Sequence, residues 1–87
     1  MPDEKTNVII EELLQLISQV SRIEKGELVY DVRVREELGI DSLMAMEIVA
    51  TIEKRFDIRI DESILNSINT VGDFLDYVIS LIKGKHV

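Results

Sequence analysis

Apolar residues recur along much of the chain at steps of three and four residues, with polar residues between them. This spacing places apolar side chains on one face of an amphipathic helix. The first such segment covers about residues 6–23, and its apolar positions are Val8, Ile9, Leu13, Leu16, Ile17 and Val20. The pattern predicts a first helix here, with these six residues facing a core and no functional role beyond packing.

Residues 42–56 predict a second helix with two distinct faces. At about 100° per residue, the stripe facing the core contains Ala45, Ile48, Val49, Ile52 and Phe56. The opposite stripe contains Leu43, Glu47, Ala50 and Lys54. Leu43 is therefore predicted to point away from the core. Met44 and Met46 flank the core stripe, where methionine either fills gaps or offers an adaptable contact to partners.

The remaining segments predict two connections and two further helices. Residues 24–40 form a long connection that we expect to be an ordered loop, held by Leu28, Val32, Val34 and Leu38. Residues 57–60 alternate in polarity and predict an extended link, because the chain offers no other strand to pair with it. A short helix opens at Asp61 or Glu62 and contains Ile64, Leu65 and Ile68. The turn at Asn69-Thr70 precedes a last helix from about Val71 to Lys83, with Gly84 at its end.

These elements predict an all-α fold, a small four-helix bundle with three main helices and one short helix. The 87 residues correspond to a single domain, 1–87. No apolar run approaches the length of a membrane span, and the polar, acidic start of the chain does not resemble a signal peptide. We therefore expect a soluble, cytoplasmic monomer without membrane insertion.

Composition removes several classes of function. The chain has no cysteine, which excludes disulfides, thiolate zinc sites and a cysteine nucleophile. Its 17 acidic and 10 basic residues give a net charge of −7, which argues against a nucleic-acid partner and favours basic protein partners. The single histidine, His86, lies near the chain end, where a general base is not expected. We expect a protein without catalytic residues and without a metal site.

The stretch Leu38-Gly39-Ile40-Asp41-Ser42-Leu43 carries the candidate chemistry. Gly39 can adopt a positive φ in a sharp turn, and Asp41 and Ser42 are both suited to cap the helix that follows. The Ser42 hydroxyl is thus predicted at a helix N-terminus, where free N–H groups and the helix dipole favour a negatively charged group such as a phosphate ester. The alternative is that Ser42 is only a cap.

The same stretch resembles the attachment motif of acyl carrier proteins and related carrier domains. The resemblance extends over residues 34–82 and includes Glu47, Phe56-Asp57, Ile60, Thr70-Val71 and Asp76-Tyr77-Val78. It implies a bundle of acyl-carrier type in which Ser42 receives 4′-phosphopantetheine from coenzyme A through a phosphopantetheinyl transferase. The thiol of this arm then holds acyl groups as thioesters.

The resemblance also implies roles for individual residues. Asp41, which flanks Ser42, is expected to help the transferase and its metal ion engage the serine. The residues that the resemblance places in contact with acyl-loading, condensing or acyltransferase enzymes are Leu43, Met46, Glu47 and Ala50. Lys54 is added to them because it lies on the same outer face of the predicted helix.

Some positions depart from the usual pattern of carriers in fatty-acid synthesis. Met44 and Lys54-Arg55 stand where polar or acidic residues are common, and Asp61 replaces a frequent proline. These differences predict a specialised carrier in fatty-acid, lipid or polyketide-type biosynthesis. Two alternatives stay open: an aminoacyl, peptidyl or D-alanyl carrier, and a helical adaptor that carries nothing.

Overall fold

A computed structural model describes residues 3–84, which contain four α-helices. These are Glu4–Ser21 (α1), Ser42–Phe56 (α2), Glu62–Leu65 (α3) and Val71–Gly84 (α4), with a short 3₁₀ turn at Lys25–Glu27 between α1 and α2. Residues 3–84 include no β-strand, and the predicted all-α fold with three main helices and one short helix is confirmed. No helix within this part of the chain is both long and apolar enough to cross a membrane. His86 lies outside the described residues.

Helix α1 begins two residues earlier and ends two residues earlier than the sequence predicted. It begins at Glu4 because the Asp3 carboxylate accepts a hydrogen bond from the Thr6 N–H at 2.8 Å. It ends at Ser21 because Arg22 adopts a left-handed backbone with φ 63°. Val8, expected in the core, is 61% exposed. The prediction that Val8 faces the core is wrong, because Val8 lies about 140° around the helix from the buried Leu13.

The core lies where α1 packs against α2 and α4. Its most deeply buried side chains are Leu13 of α1, Ile52 of α2, and Val71 and Val78 of α4. Helix α2 has the predicted bounds, and Ile48, Val49 and Ile52 are buried as expected. Ala45 and Phe56 were placed in the same stripe but are only half-buried, and they lie near the two ends of α2.

The long connection before α2 is ordered, as predicted, and its backbone pairs with the chain that leads into α4. The Val34 N–H donates to the Asn69 carbonyl at 2.9 Å, and the Val71 N–H donates to the Val32 carbonyl at 3.0 Å. An isolated antiparallel bridge joins Arg33 to Thr70 between them. These bonds fix the loop that precedes α2 against the start of α4.

The link between α2 and α3 begins at Asp57, whose backbone is left-handed with φ 54°, so the prediction of an extended link does not hold for this residue. Residues 58–61 form neither helix nor strand, and the end of the link is bonded to the bundle at two points. The Ile60 N–H donates to the Glu53 carboxylate at 2.8 Å, and the Asp61 N–H donates to the Tyr77 hydroxyl at 3.1 Å. Helix α3 then spans one turn and ends at Leu65, so the prediction that it contains Ile68 is wrong. The chain tightens there into turns bonded three residues back, in which the Ile68 N–H donates to the Leu65 carbonyl.

Candidate functional site

The N-terminus of α2 is capped by Asp41, which leaves Ser42 as the first helical residue. Asp41 is extended, with φ −89° and ψ 179°, and its carboxylate accepts a hydrogen bond from the Met44 N–H at 2.9 Å. Gly39 has a φ of 71°, the positive value predicted for this turn. Of the two residues suited to capping, the chain thus uses Asp41 for the cap and leaves the Ser42 side chain available.

The Ser42 side chain is exposed, and its hydroxyl forms no hydrogen bond with any residue in 3–84. The hydroxyls of four other serines in this range are engaged: Ser18, Ser21, Ser63 and Ser80. The N–H groups of Ser42 and Leu43 also find no acceptor among residues 3–84, as expected in the first turn of a helix. A free hydroxyl beside free N–H donors fits a phosphate ester at this position.

A cavity of about 580 Å³ opens beside Ser42 and reaches the core between α2, α3 and α4. Its volume lies within the range of small-ligand sites in proteins. The apolar residues of its wall are Ile17, Val34, Ile40, Ala45, Met46, Ile48, Val49, Leu65, Ile68, Val71 and Phe74. The cavity can therefore bury an apolar group that is attached close to Ser42.

Arg35 lines the cavity, and sequence analysis did not identify it. Its Nη1 donates to the Ile68 carbonyl at 3.0 Å and its Nη2 donates to the Leu65 carbonyl at 2.9 Å. These bonds connect the loop before α2 with the end of α3. An arginine in a charged loop has no periodic pattern around it, and its acceptors lie about 30 residues away in sequence, so no local signal pointed to it.

The outward face of α2 has the geometry that its periodicity predicted. Leu43 is 73% exposed and Met46 is 40% exposed, while Glu47, Ala50 and Lys54 are also exposed. Met46 in addition lines the cavity. The structure therefore brings all five predicted contact residues onto one surface, which begins beside Ser42 and contains two large apolar side chains.

The two cations at the end of α2 have different environments. The Arg55 guanidinium forms an ion pair with the Glu12 carboxylate of α1 and lies 5.6 Å from the centre of the Phe56 ring. The carboxylate of Glu53, which precedes Lys54 in α2, accepts a hydrogen bond from the Ile60 N–H. Lys54 forms no ion pair with any residue in 3–84.

The carboxylate that caps α3 is stabilised in its charged form. The Asp61 carboxylate accepts hydrogen bonds from the Ser63 hydroxyl at 2.8 Å and from the Ser63 N–H at 3.0 Å, which lower the pKa of Asp61. Within the described part of the chain, no cluster of three or more metal-ligating side chains occurs. The chemistry of the site consists of the Ser42 hydroxyl, the adjacent cavity and the exposed face of α2.

Comparisons with known proteins show what this chain is similar to. A family model described as "Phosphopantetheine attachment site" matches residues 11–78. The chain is 36% identical over 84 residues to an acyl carrier protein of Cyanophora paradoxa, covering 97% of this chain and 82% of that protein. It is 34% identical over 71 residues to an acyl carrier protein of Onion yellows phytoplasma (strain OY-M), covering 82% of this chain and 93% of the relative.

A solved structure also shares the fold. The apo doublet acyl carrier protein from prodigiosin biosynthesis superposes with a TM-score of 0.74 over 92% of this chain, at 22% sequence identity. This chain spans 38% of the length of that doublet. At this identity the likeness concerns the fold alone.

Proposed function

Since this chain belongs to the acyl carrier protein family, whose members carry a covalently bound 4′-phosphopantetheine, we propose that Ser42 is the attachment residue. The observation that carries the proposal is the exposed Ser42 hydroxyl, which has no hydrogen-bond partner in residues 3–84 and stands at the first position of α2. Ser67 is also exposed, and its hydroxyl likewise has no hydrogen-bond partner in residues 3–84, but it follows the one-turn helix α3 and does not line the cavity.

Residues around Ser42 have distinct tasks in this proposal. Asp41 caps α2 in place of Ser42, and its position next to the serine suits it to help the transferase and its metal ion engage the hydroxyl. The free N–H groups of Ser42 and Leu43 favour the negative charge of the phosphate ester. The attached arm supplies a terminal thiol that forms thioesters with acyl groups. A flexible tether raises the effective concentration of such a group at each enzyme that the carrier meets.

The cavity beside Ser42 supports an apolar cargo. Its wall consists mainly of aliphatic side chains, so a fatty or polyketide-type acyl chain gains free energy by entering it. An aminoacyl or D-alanyl group carries an ammonium charge, and burying that charge here without a partner is costly. A fatty or polyketide-type acyl chain is therefore the proposed cargo, and an aminoacyl group is the alternative.

The exposed face of α2 is the proposed contact surface for other proteins. Acyl carrier proteins in general interact with phosphopantetheinyl transferases and with biosynthetic enzymes. For this chain we assign that contact to Leu43, Met46, Glu47, Ala50 and Lys54, because they share one exposed surface beside Ser42. The carrier itself is proposed to be a non-catalytic monomer, and acyl-loading, condensing or acyltransferase enzymes act on its cargo.

Three further predictions remain part of the proposal. Residues 1–87 are taken as a single carrier domain, and a cytoplasmic location is expected. A specialised role is supported by Lys54, which has no ion-pair partner in residues 3–84 and lies on a surface where acidic residues are usual in carriers of fatty-acid synthesis. Cell fractionation and enzyme assays test the last two of these.

The assignment of Ser42 is tested by intact-mass measurement after incubation with coenzyme A, Mg²⁺ and a broad-specificity phosphopantetheinyl transferase. The wild-type chain and Ser67→Ala should each gain one phosphopantetheine, whereas Ser42→Ala should gain none. Ser67→Ala is the matched control because Ser67 is the other serine of residues 3–84 whose exposed hydroxyl has no hydrogen-bond partner in that range. No mass gain in the wild type with several active transferases would favour a helical adaptor.

A further inference from the structure

Helix α3 forms one wall of the cavity beside Ser42. Glu62 and Leu65 of α3, and Asn66 and Ile68 directly after it, line the cavity. A displacement of this short segment away from α2 would enlarge the cavity, and a fixed position would limit it. The contacts that hold α3 therefore affect how long an acyl chain can be buried.

The two ends of this segment are anchored, and its middle is not anchored by any backbone bond to the bundle. The Asp61 N–H donates to the Tyr77 hydroxyl at one end, and the Asn69 carbonyl accepts from the Val34 N–H at the other. Among residues 3–84, the hydrogen bonds that connect 62–68 with chain outside 61–69 are the two donated by Arg35.

Helix α3 depends on such external contacts. It contains four residues, and an isolated helix of one turn is not stable in water. Ile64 and Leu65 are half-buried, so apolar packing holds α3 less firmly than it holds the long helices. The planar Arg35 guanidinium binds two carbonyl oxygens at once, a geometry that a lysine ammonium does not reproduce.

We propose that Arg35 is a positioning residue that fixes α3 over the cavity and thereby limits the length of the acyl chain that the carrier buries. The inference rests on the proposed function, since it concerns the cargo attached at Ser42. Arg35 touches neither the serine hydroxyl nor a reacting atom. It acts by fixing the positions of Leu65 and Ile68. Arg35 binds the backbone carbonyls of these two residues, and both residues line the cavity.

The first test measures hydrogen exchange in the unmodified protein, which requires neither coenzyme A nor a transferase. The amides to follow are those of Ser67 and Ile68, which are bonded within the segment. Arg35→Gln should exchange them about three- to tenfold faster than wild type, because charged hydrogen bonds that hold the segment are lost. The matched control is Arg33→Gln, since the Arg33 side chain pairs only with the neighbouring Glu36 among described residues.

The second test compares cargo of two lengths on the phosphopantetheinylated chain. Octanoyl and hexadecanoyl thioesters are loaded on wild type, Arg35→Gln, Arg35→Lys and Arg33→Gln, and the melting temperature of each is compared with its unloaded form. A chain that enters the cavity stabilises the folded state. Wild type and Arg33→Gln should gain more from octanoyl than from hexadecanoyl. Arg35→Gln should lose this difference, and Arg35→Lys should lie between them.

The outcomes separate this inference from the proposed function. Equal exchange in Arg35→Gln and Arg33→Gln, or faster exchange in Arg35→Gln with an unchanged dependence on chain length, would overturn the role of Arg35. Should Arg35→Gln fail to fold, the same comparison is made between Arg35→Lys and Arg33→Gln. A wild-type chain that accepts no phosphopantetheine would contradict the assignment of Ser42, and the exchange result would still report on how α3 is held.

Discussion

The Asp41 carboxylate accepts a hydrogen bond from the Met44 N–H at 2.9 Å and so caps α2 one residue before Ser42. Its backbone carbonyl also accepts from the Ala45 N–H at 2.9 Å. Asp41 therefore stabilises the start of α2, while Ser42 provides the hydroxyl that can be modified. This division allows the serine to be modified without loss of the cap.

This division predicts losses of stability of different size for substitutions at the two positions. Ser42→Ala should lower the free energy of unfolding by at most ~0.5 kcal/mol, because the Ser42 side chain forms no hydrogen bond within residues 3–84. Asp41→Ala should cost about 1 kcal/mol, because the Met44 N–H loses its acceptor. Urea unfolding of both variants measures this. A larger loss for Ser42→Ala than for Asp41→Ala would show that the serine has a structural role.

Burial along α2 predicts a graded series of stabilities. Ile52 is fully buried, and Ile52→Ala should lower the free energy of unfolding by roughly 2–5 kcal/mol. Phe56 is half-buried beneath Arg55, so Phe56→Ala should cost less, about 1–3 kcal/mol. Glu47→Ala should leave the melting temperature nearly unchanged and slow loading by partner enzymes. A Glu47 variant that melts like Ile52→Ala would contradict the assignment of the two faces.

The pKa of Asp73 predicts a loss of stability in acid. Its carboxylate accepts hydrogen bonds from the N–H groups of Asn69 and Thr70 at 3.0 and 3.1 Å, which hold the pKa of Asp73 below the ordinary value of 3.8. A lowered pKa in the folded state gives stability that is complete above the unfolded value and disappears as the pH falls through the folded one.

The difference in stability between wild type and Asp73→Asn is expected to become smaller as the pH falls. The variant should be less stable at pH about 7 and should approach wild type as the pH falls through the lowered pKa of Asp73, where the carboxylate of the wild type becomes protonated. Urea midpoints measured across this range test it. Glu24→Gln is the control, since the Glu24 side chain forms no hydrogen bond or ion pair within residues 3–84. A difference in urea midpoint between wild type and Asp73→Asn that stays constant with pH would contradict the role of the charged Asp73 carboxylate as a cap.

The environments of Lys54 and Arg55 predict different effects for their charge reversal. Lys54→Glu should raise turnover of the malonyl-loaded carrier by a fatty-acid condensing enzyme with a basic docking surface, about three- to tenfold at low salt. The gain should shrink at high salt, which screens exposed charges. Arg55→Glu should instead destabilise the fold, since it places a second carboxylate beside Glu12. Equal turnover of Lys54→Glu and wild type at low salt would remove the electrostatic explanation of partner choice.

The sequence predicted those features of the fold that arise from local periodicity and capping. The bounds of α2 follow from the residue types at Asp41 and from the apolar spacing up to Phe56, and the structure confirms both ends. Gly39 was expected to have a positive φ because glycine adopts it at no steric cost, and its φ is 71°. The exposed position of Leu43 followed from the helical angle alone.

The features that sequence analysis missed depend on contacts between distant segments. Arg35 binds carbonyls of the segment around α3, and Arg55 pairs with Glu12 of α1; neither partner is visible in the local sequence. Val8 was placed with the core residues of α1 but is exposed, because it lies about 140° around the helix from the buried Leu13. The cavity beside Ser42 is likewise formed by residues from every helix, so the sequence did not indicate it.

Localisation of the attached group within the chain tests the central claim most directly. Trypsin releases residues 36–54, a peptide that contains Ser42 and one other hydroxyl residue, Thr51. After incubation with coenzyme A and a phosphopantetheinyl transferase, tandem mass spectrometry of this peptide should place one phosphopantetheine on Ser42. A group located on Thr51 or on any other peptide, or a chain that remains unmodified by several active transferases, would contradict the assignment of Ser42 as the attachment site.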